Sequence, residues 1–91
     1  MLLRNVLGDG TLNAVIYDFE VKGDELALHT HAENACHYSV LVSGFATLHI
    51  NGKSIPMVQG KLYKILPGEV HGFTALGPAR IINLPYGEIV E

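Results

Sequence analysis

Apolar and polar residues alternate along most of the chain with a period of two, the pattern of strands with one buried face. Residues 12–21 place Tyr17, Phe19 and Val21 on one face. Residues 37–43 place Tyr38, Val40 and Val42 on one face and His37, Ser39, Leu41 and Ser43 on the other. Turn signals fall at Gly23-Asp24, Gly44, Asn51-Gly52, Gln59-Gly60, Pro67-Gly68 and Gly77-Pro78. Asn51-Gly52 is a hairpin signal, because both residues tolerate positive φ. The segments between the turns (26–31, 45–50, 53–58, 62–66, 71–76 and 79–84) read as further strands. Pro56 puts its strand at an edge or a bulge, since it cannot donate to a ladder. No window of a dozen residues carries a 3.6-residue apolar period. The pattern predicts eight or nine short strands in one all-β domain over residues 1–91, a small antiparallel β-barrel or sandwich with turns about every 8–12 residues.

Composition removes several classes of function. Six basic and nine acidic residues give a net charge of −3, so no basic field draws the chain onto nucleic acid. Hydrophobic residues make up 48% and charged residues 16%, the reverse of a disordered chain. The longest apolar run, residues 14–17, is far short of the ~20 residues of a membrane-spanning helix. The first five residues lack a basic start followed by a long apolar stretch, so no signal peptide is expected. The single cysteine, Cys36, allows no internal disulfide and no zinc site built on two or four cysteines. A reducing cytoplasm is the expected location. Mean hydropathy is +0.26, high for a small chain. The Tyr38, Val40 and Val42 face points away from His37. These two features together predict a homodimer.

The histidines carry the candidate chemistry. His29 and His31 are two apart, so on a strand they share a face with Cα atoms about 6.5–7 Å apart. Metal–nitrogen bonds of ~2.1 Å let two such imidazoles meet on one ion. His37 opens the next alternating strand, and His71 follows the Pro67-Gly68 turn. A lone strand histidine is ordinarily a surface or hydrogen-bonded core residue, and His49, just before the hairpin, is read as solvent-facing. Other chemistries lack their residues. His31-Ala32-Glu33 resembles half of a zinc deaminase signature whose other half needs two cysteines, where the chain has one. A His-Glu-x-x-His helix and a phosphate loop are absent. Cys36 and His37 point to opposite faces and cannot act as a pair.

The spacing of these residues resembles the two cupin motifs. Gly23, five residues, His29-Thr30-His31, five residues, His37, six residues and Gly44 follow the first motif. His37 stands where that motif has glutamate, after a gap one residue longer. Gly60 through Pro67-Gly68 to His71 follows the second motif. There Pro67 and Gly68 are adjacent where the motif separates them by one residue, and Ala75 replaces its final asparagine. Fifteen residues, 45–59, separate the motifs, as in compact single-domain microbial cupins.

The resemblance implies a cupin-type double-stranded β-helix, or jelly roll, with one divalent metal ion in its mouth. It implies His29, His31 and His71 as ligands, with His37 by position: a four-histidine site. If the strand continued straight past His31, Glu33 would share its face and complete a His-His-Glu set in place of His37.

Neutral imidazoles suit Fe, Mn, Ni, Cu, Co or Zn and not calcium or magnesium. The lining expected from the same faces is Ser39, Leu41 and Phe73, with Tyr63. The catalytic residues are unknown, with Tyr38, Tyr63 and Tyr86 the remaining candidates for a general base. The resemblance leaves three functions open. They are a metal-dependent oxygenase on a small anionic or enolisable substrate, a non-catalytic metal- or small-ligand-binding module, and a metal-dependent isomerase or lyase.

Overall fold

Two long strands organise the molecule. In the computed structural model, which describes residues 1–8, 13–29 and 36–86, β4 (Cys36–Ile50) and β7 (His71–Tyr86) pair antiparallel along their lengths. Before them come β1 (Leu2–Gly8), β2 (Asn13–Phe19) and β3 (Glu25–His29); between them lie β5 (Lys53–Pro56) and β6 (Leu62–Ile65). The sheet order is β1-β2-β7-β4-β5, with β3 added to β7 and β6 to β4.

The neighbours of the central ribbon change along its length. Residues 37–40 and 79–83 are flanked by β6 and β2, residues 47–50 and 71–74 by β5 and β3. His71 opposes Ile50, so a flat ribbon would hold His37 and His71 apart by 50 − 37 = 13 residues, about 44 Å. Their ring centroids are 5.4 Å apart. The ribbon therefore folds back on itself, and its halves form two facing layers.

The fold falls at two register shifts, between Leu41 and Ser43 and between Gly44 and Ala46. Bulges of this kind bend a strand and increase its twist. The turns expected at Gly44 and at Gly77-Pro78 are thus bends inside continuous strands. The chain has seven described strands, two of them long, in place of eight or nine short ones. A bulge reverses direction without ending the ladder, and a glycine or proline in the sequence does not distinguish the two. The hairpin forms as predicted, with φ of 50° at Asn51 and 77° at Gly52, and Pro56 ends the edge strand β5.

Strand β1 was not anticipated from the sequence. Six of its seven residues are exposed, so its order comes from pairing with β2 rather than from burial. The core lies between the layers, where Phe19, Leu41, Leu48, Ile65, Phe73 and Ile81 are each at most 2% exposed. Full burial of each such side chain is worth about 1.5–3 kcal/mol. Among the described residues no helix is long and apolar enough to cross a membrane.

Candidate metal centre

Three of the four histidines expected as ligands lie within the described residues, and the fold brings them together. His29 ends β3, directly opposite His71 at the start of β7. His37, near the start of β4, faces them from the other layer. His71 is fully buried and His37 is 7% exposed. Ring centroids are 4.4 Å apart for His29 and His71, and 5.4 Å for His37 and His71. Two imidazoles sharing one ion at ~2.1 Å have centroids roughly 4.5–5.5 Å apart for angles between 90° and 120°. The 5.4 Å separation falls within that span and the 4.4 Å separation lies just below it. Among the described residues no group of three His, Cys, Asp or Glu side chains forms a metal cage; His31 and Glu33 lie outside them.

The hydrogen bonds of two rings set their chemistry. His29 Nδ1 donates to the Ala27 carbonyl at 2.8 Å, and His71 Nδ1 to the Glu69 carbonyl at 2.9 Å. A carbonyl only accepts, so Nδ1 carries the proton in both rings. In the neutral imidazole, Nε2 then presents its lone pair, as a metal-ligating histidine held by a backbone carbonyl does. Burial, the largest influence, pushes the His71 pKa below its ordinary value, with repulsion from His29 in the same direction. The Glu69 carbonyl and charge oppose this, and burial prevails. The ring is thereby kept neutral.

Local sequence explains these positions. Gly72 lies beneath β3, and a Cβ there would stand 2.6 Å from the Leu26 carbonyl oxygen. Only glycine admits β3 this closely and so lets His29 stand against His71. Glu69 was not singled out from the sequence. Its carboxylate accepts from Leu66 N, across the Pro67-Gly68 turn, and from the Asn51 amide of the hairpin. This clamps the backbone whose carbonyl orients His71. A carboxylate between a Pro-Gly turn and a histidine was the available signal.

Below the histidines the wall is briefly polar. Ser39 Oγ donates to Asn83 Oδ1 at 2.6 Å, and the two residues are 0% and 7% exposed. Leu41, Phe73 and Ile81 close the floor. The expected lining by Ser39, Leu41 and Phe73 therefore faces inward. Tyr63 is also inward, but its hydroxyl accepts from Val58 N at 2.8 Å and is committed to the loop after β5. Tyr38 follows His37 on β4 and occupies the outer face. The side chains of Cys36 and Tyr86 lie outside the described structure.

His49 is on the outer face and does not join the cluster. It is not simply solvated, since its ring nitrogens contact Ser54 Oγ at 3.0 Å and Thr74 Oγ1 at 2.7 Å. Cross-strand register makes these contacts: Ser54 opposes His49 on β5, and Thr74 lies diagonally on β7.

A two-layer β fold with histidines from three strands at one end defines a class, and sequence comparison agrees. The cupin domain family model matches residues 15–85, and the chain belongs to the cupin family. Similar solved structures share the fold. A cupin protein from Desulfovibrio desulfuricans, described as RmlC-like, superposes with a TM-score of 0.83 at 19% identity, over 92% of this chain and 80% of that one. KdgF from Halomonas sp. gives 0.82 at 22%, over 97% and 82%. A conserved protein with a double-stranded β-helix domain from Klebsiella pneumoniae gives 0.80 at 24%, over 94% and 76%. No curated protein sequence matches significantly.

Proposed function

We propose that this cupin is a metal-dependent enzyme acting on a small anionic or enolisable organic substrate, with oxygenation as its reaction. His29, His31, His37 and His71 are the ligands in this reading, with Nε2 the donor atom of His29 and His71. The observation that carries it is the shared tautomer of His29 and His71, whose Nδ1 protons are both held by backbone carbonyls with the ring centroids 4.4 Å apart. A bound divalent transition ion supplies Lewis acidity and, if redox-active, electron transfer to dioxygen.

The protein's own groups do the remaining work. Four neutral imidazoles contribute no negative charge, so they favour an anionic, chelating substrate. Leu41, Phe73 and Ile81, each at most 1% exposed, form an apolar floor that keeps water from the inner side of the histidines. Ser39 and Asn83 offer the first hydrogen-bonding groups that a substrate reaching past the histidines meets.

The test reconstitutes metal-free protein separately with Fe(II), Mn(II), Cu(II) and Zn(II). Each form is offered β-diketones, catechols, 2-hydroxy acids and thiols under air and under argon. Turnover that needs both air and a redox-active ion is expected. Equal turnover under argon, or the highest turnover with Zn(II), supports an isomerase or lyase instead. Tight binding without turnover supports a binding module.

A second copy of the chain is the proposed protein partner. On the outer face, Val40 and Tyr38 adjoin Leu62, Ile82 and Leu84 in register, and Val42, Leu62 and Leu84 are 47%, 54% and 41% exposed. A continuous apolar face of this kind usually marks an interface. Sedimentation at micromolar concentration should show a dimer, and a monomer alone excludes it.

A further inference from the structure

A groove of about 480 Å³ opens beside His29, between β1–β2 and β3. Leu2, Arg4, Tyr17, Leu26, Leu28 and His29 line it, and its volume is within the ~300–1,000 Å³ of small-ligand sites. Arg4 is an unusual residue for this face. It opposes Tyr17 in the β1–β2 register, as Leu2 opposes Phe19. Directly opposed residues share a face, and Tyr17 and Phe19 are buried in the core at 7% and 2% exposure. Arg4 therefore stands on the inward face of its strand.

The two arginines of the chain differ in their commitments. Arg80 holds Asp18 through two hydrogen bonds on the outer face. Arg4 has no ion pair with any described residue. Tyr17 is more than nine-tenths buried as a residue, but its hydroxyl is not fully enclosed and makes no hydrogen bond with a described residue. Among the described residues no carboxylate lines the groove, in a chain whose net charge is −3. The local charge thus runs against that of the whole molecule.

We infer that Arg4 and Tyr17 form a carboxylate clamp at the mouth of the histidine cluster. A guanidinium presents paired N–H donors that match the two oxygens of a carboxylate, and the Tyr17 hydroxyl adds a third donor. The substrate class is then a small organic acid with its carboxylate on Arg4 and a separate chelating group at the histidines. The second half of this statement rests on the proposed metal site, whereas the clamp does not.

The experiment titrates Zn(II)-loaded protein by calorimetry with 3,4-dihydroxybenzoate, 3-(3,4-dihydroxyphenyl)propanoate and 4-methylcatechol. All three carry the same chelating diol, and only the first two carry a carboxylate. At least one acid should bind about tenfold or more tightly than 4-methylcatechol, the scale of one charge-assisted hydrogen-bonded pair. Arg4→Gln should remove that preference and leave 4-methylcatechol affinity unchanged. Arg4→Lys should restore part of it, and Tyr17→Phe should weaken only the acids.

No preference for either acid, a preference surviving Arg4→Gln, or equal loss for all three ligands overturns the clamp. So does an Arg4→Gln protein that only self-associates, because an inward charge on an edge strand can instead serve to block edge pairing. If the protein takes up no metal, the metal reading fails and the clamp is tested separately. Benzoate added to metal-free protein should then shift the backbone amide NMR signals around Arg4 and Tyr17 in the parent and not in Arg4→Gln. Absent shifts, or shifts that persist in the variant, overturn it.

Discussion

Gly44 lies against Pro78 so closely that a Cβ on Gly44 would stand 2.0 Å from the Pro78 carbonyl oxygen. The contact is the crease of the β4–β7 ribbon. It decides whether His37 in one layer comes to face His71 in the other.

Gly44→Ala should therefore be among the costliest small substitutions in the chain. Gly44 has φ of +78°, and the clash is with backbone, which cannot rotate away. A left-handed alanine and an overpacked contact together cost about 2–4 kcal/mol. Gly52→Ala is the control: its φ is +77°, with nothing within 4 Å of the added Cβ, and about 1 kcal/mol is expected. Urea unfolding of the two variants measures the difference. Similar costs for both would show that the crease adjusts.

Metal uptake should follow the cluster and not the histidine count. His29→Ala and His71→Ala should lose most bound metal by elemental analysis, whereas His49→Ala, on the outer face, should keep it. His37→Glu should retain metal, since carboxylate is the commoner donor at that motif position. A site emptied by Glu33→Ala and unaffected by His37→Ala would reassign the fourth ligand.

Acidification should weaken the metal-free fold through His71. Its pKa is lowered in the folded state, chiefly by burial, from an ordinary value of 6.5. Below 6.5 the unfolded chain takes up a proton that the folded one resists, so stability falls. The contribution is complete above pH 6.5 and is lost as pH falls from there through the lower folded-state pKa. Thermal melts at pH 7.5 and 5.5 should show a larger drop for the parent than for His71→Gln. Metal affinity should decline over the same range, below about pH 6–6.5, because ligand nitrogens must be unprotonated.

Ser39 and Asn83 should behave as a unit. Ser39→Ala strands a buried amide oxygen and should cost about 1–3 kcal/mol, as should Asn83→Leu. The double variant should cost less than the sum, because neither partner is left unsatisfied. Additive losses in a denaturation double-mutant cycle would mean that the 2.6 Å hydrogen bond contributes little.

Much of this protein is legible in one dimension because its information is local. The period of two placed Ser39, Leu41 and Phe73 on inward faces, since side-chain direction along a strand depends only on parity. Asn51-Gly52 specified its own hairpin through backbone sterics. The motif spacings marked the histidines as a group and pointed to the cupin family. Tertiary structure decided what depends on distant backbone. Gly44 reads as a turn until Pro78, 34 positions later (78 − 44), is seen to press on it. Strand β1 has no burial pattern of its own and exists because β2 offers it hydrogen bonds. The proton positions on His29 and His71 depend on which carbonyl each ring meets, and the placement of Arg4 beside His29 depends on β1 and β3 flanking one groove. Periodicity encodes which face a side chain takes, but only the folded ribbon brings faces from different strands within bonding distance.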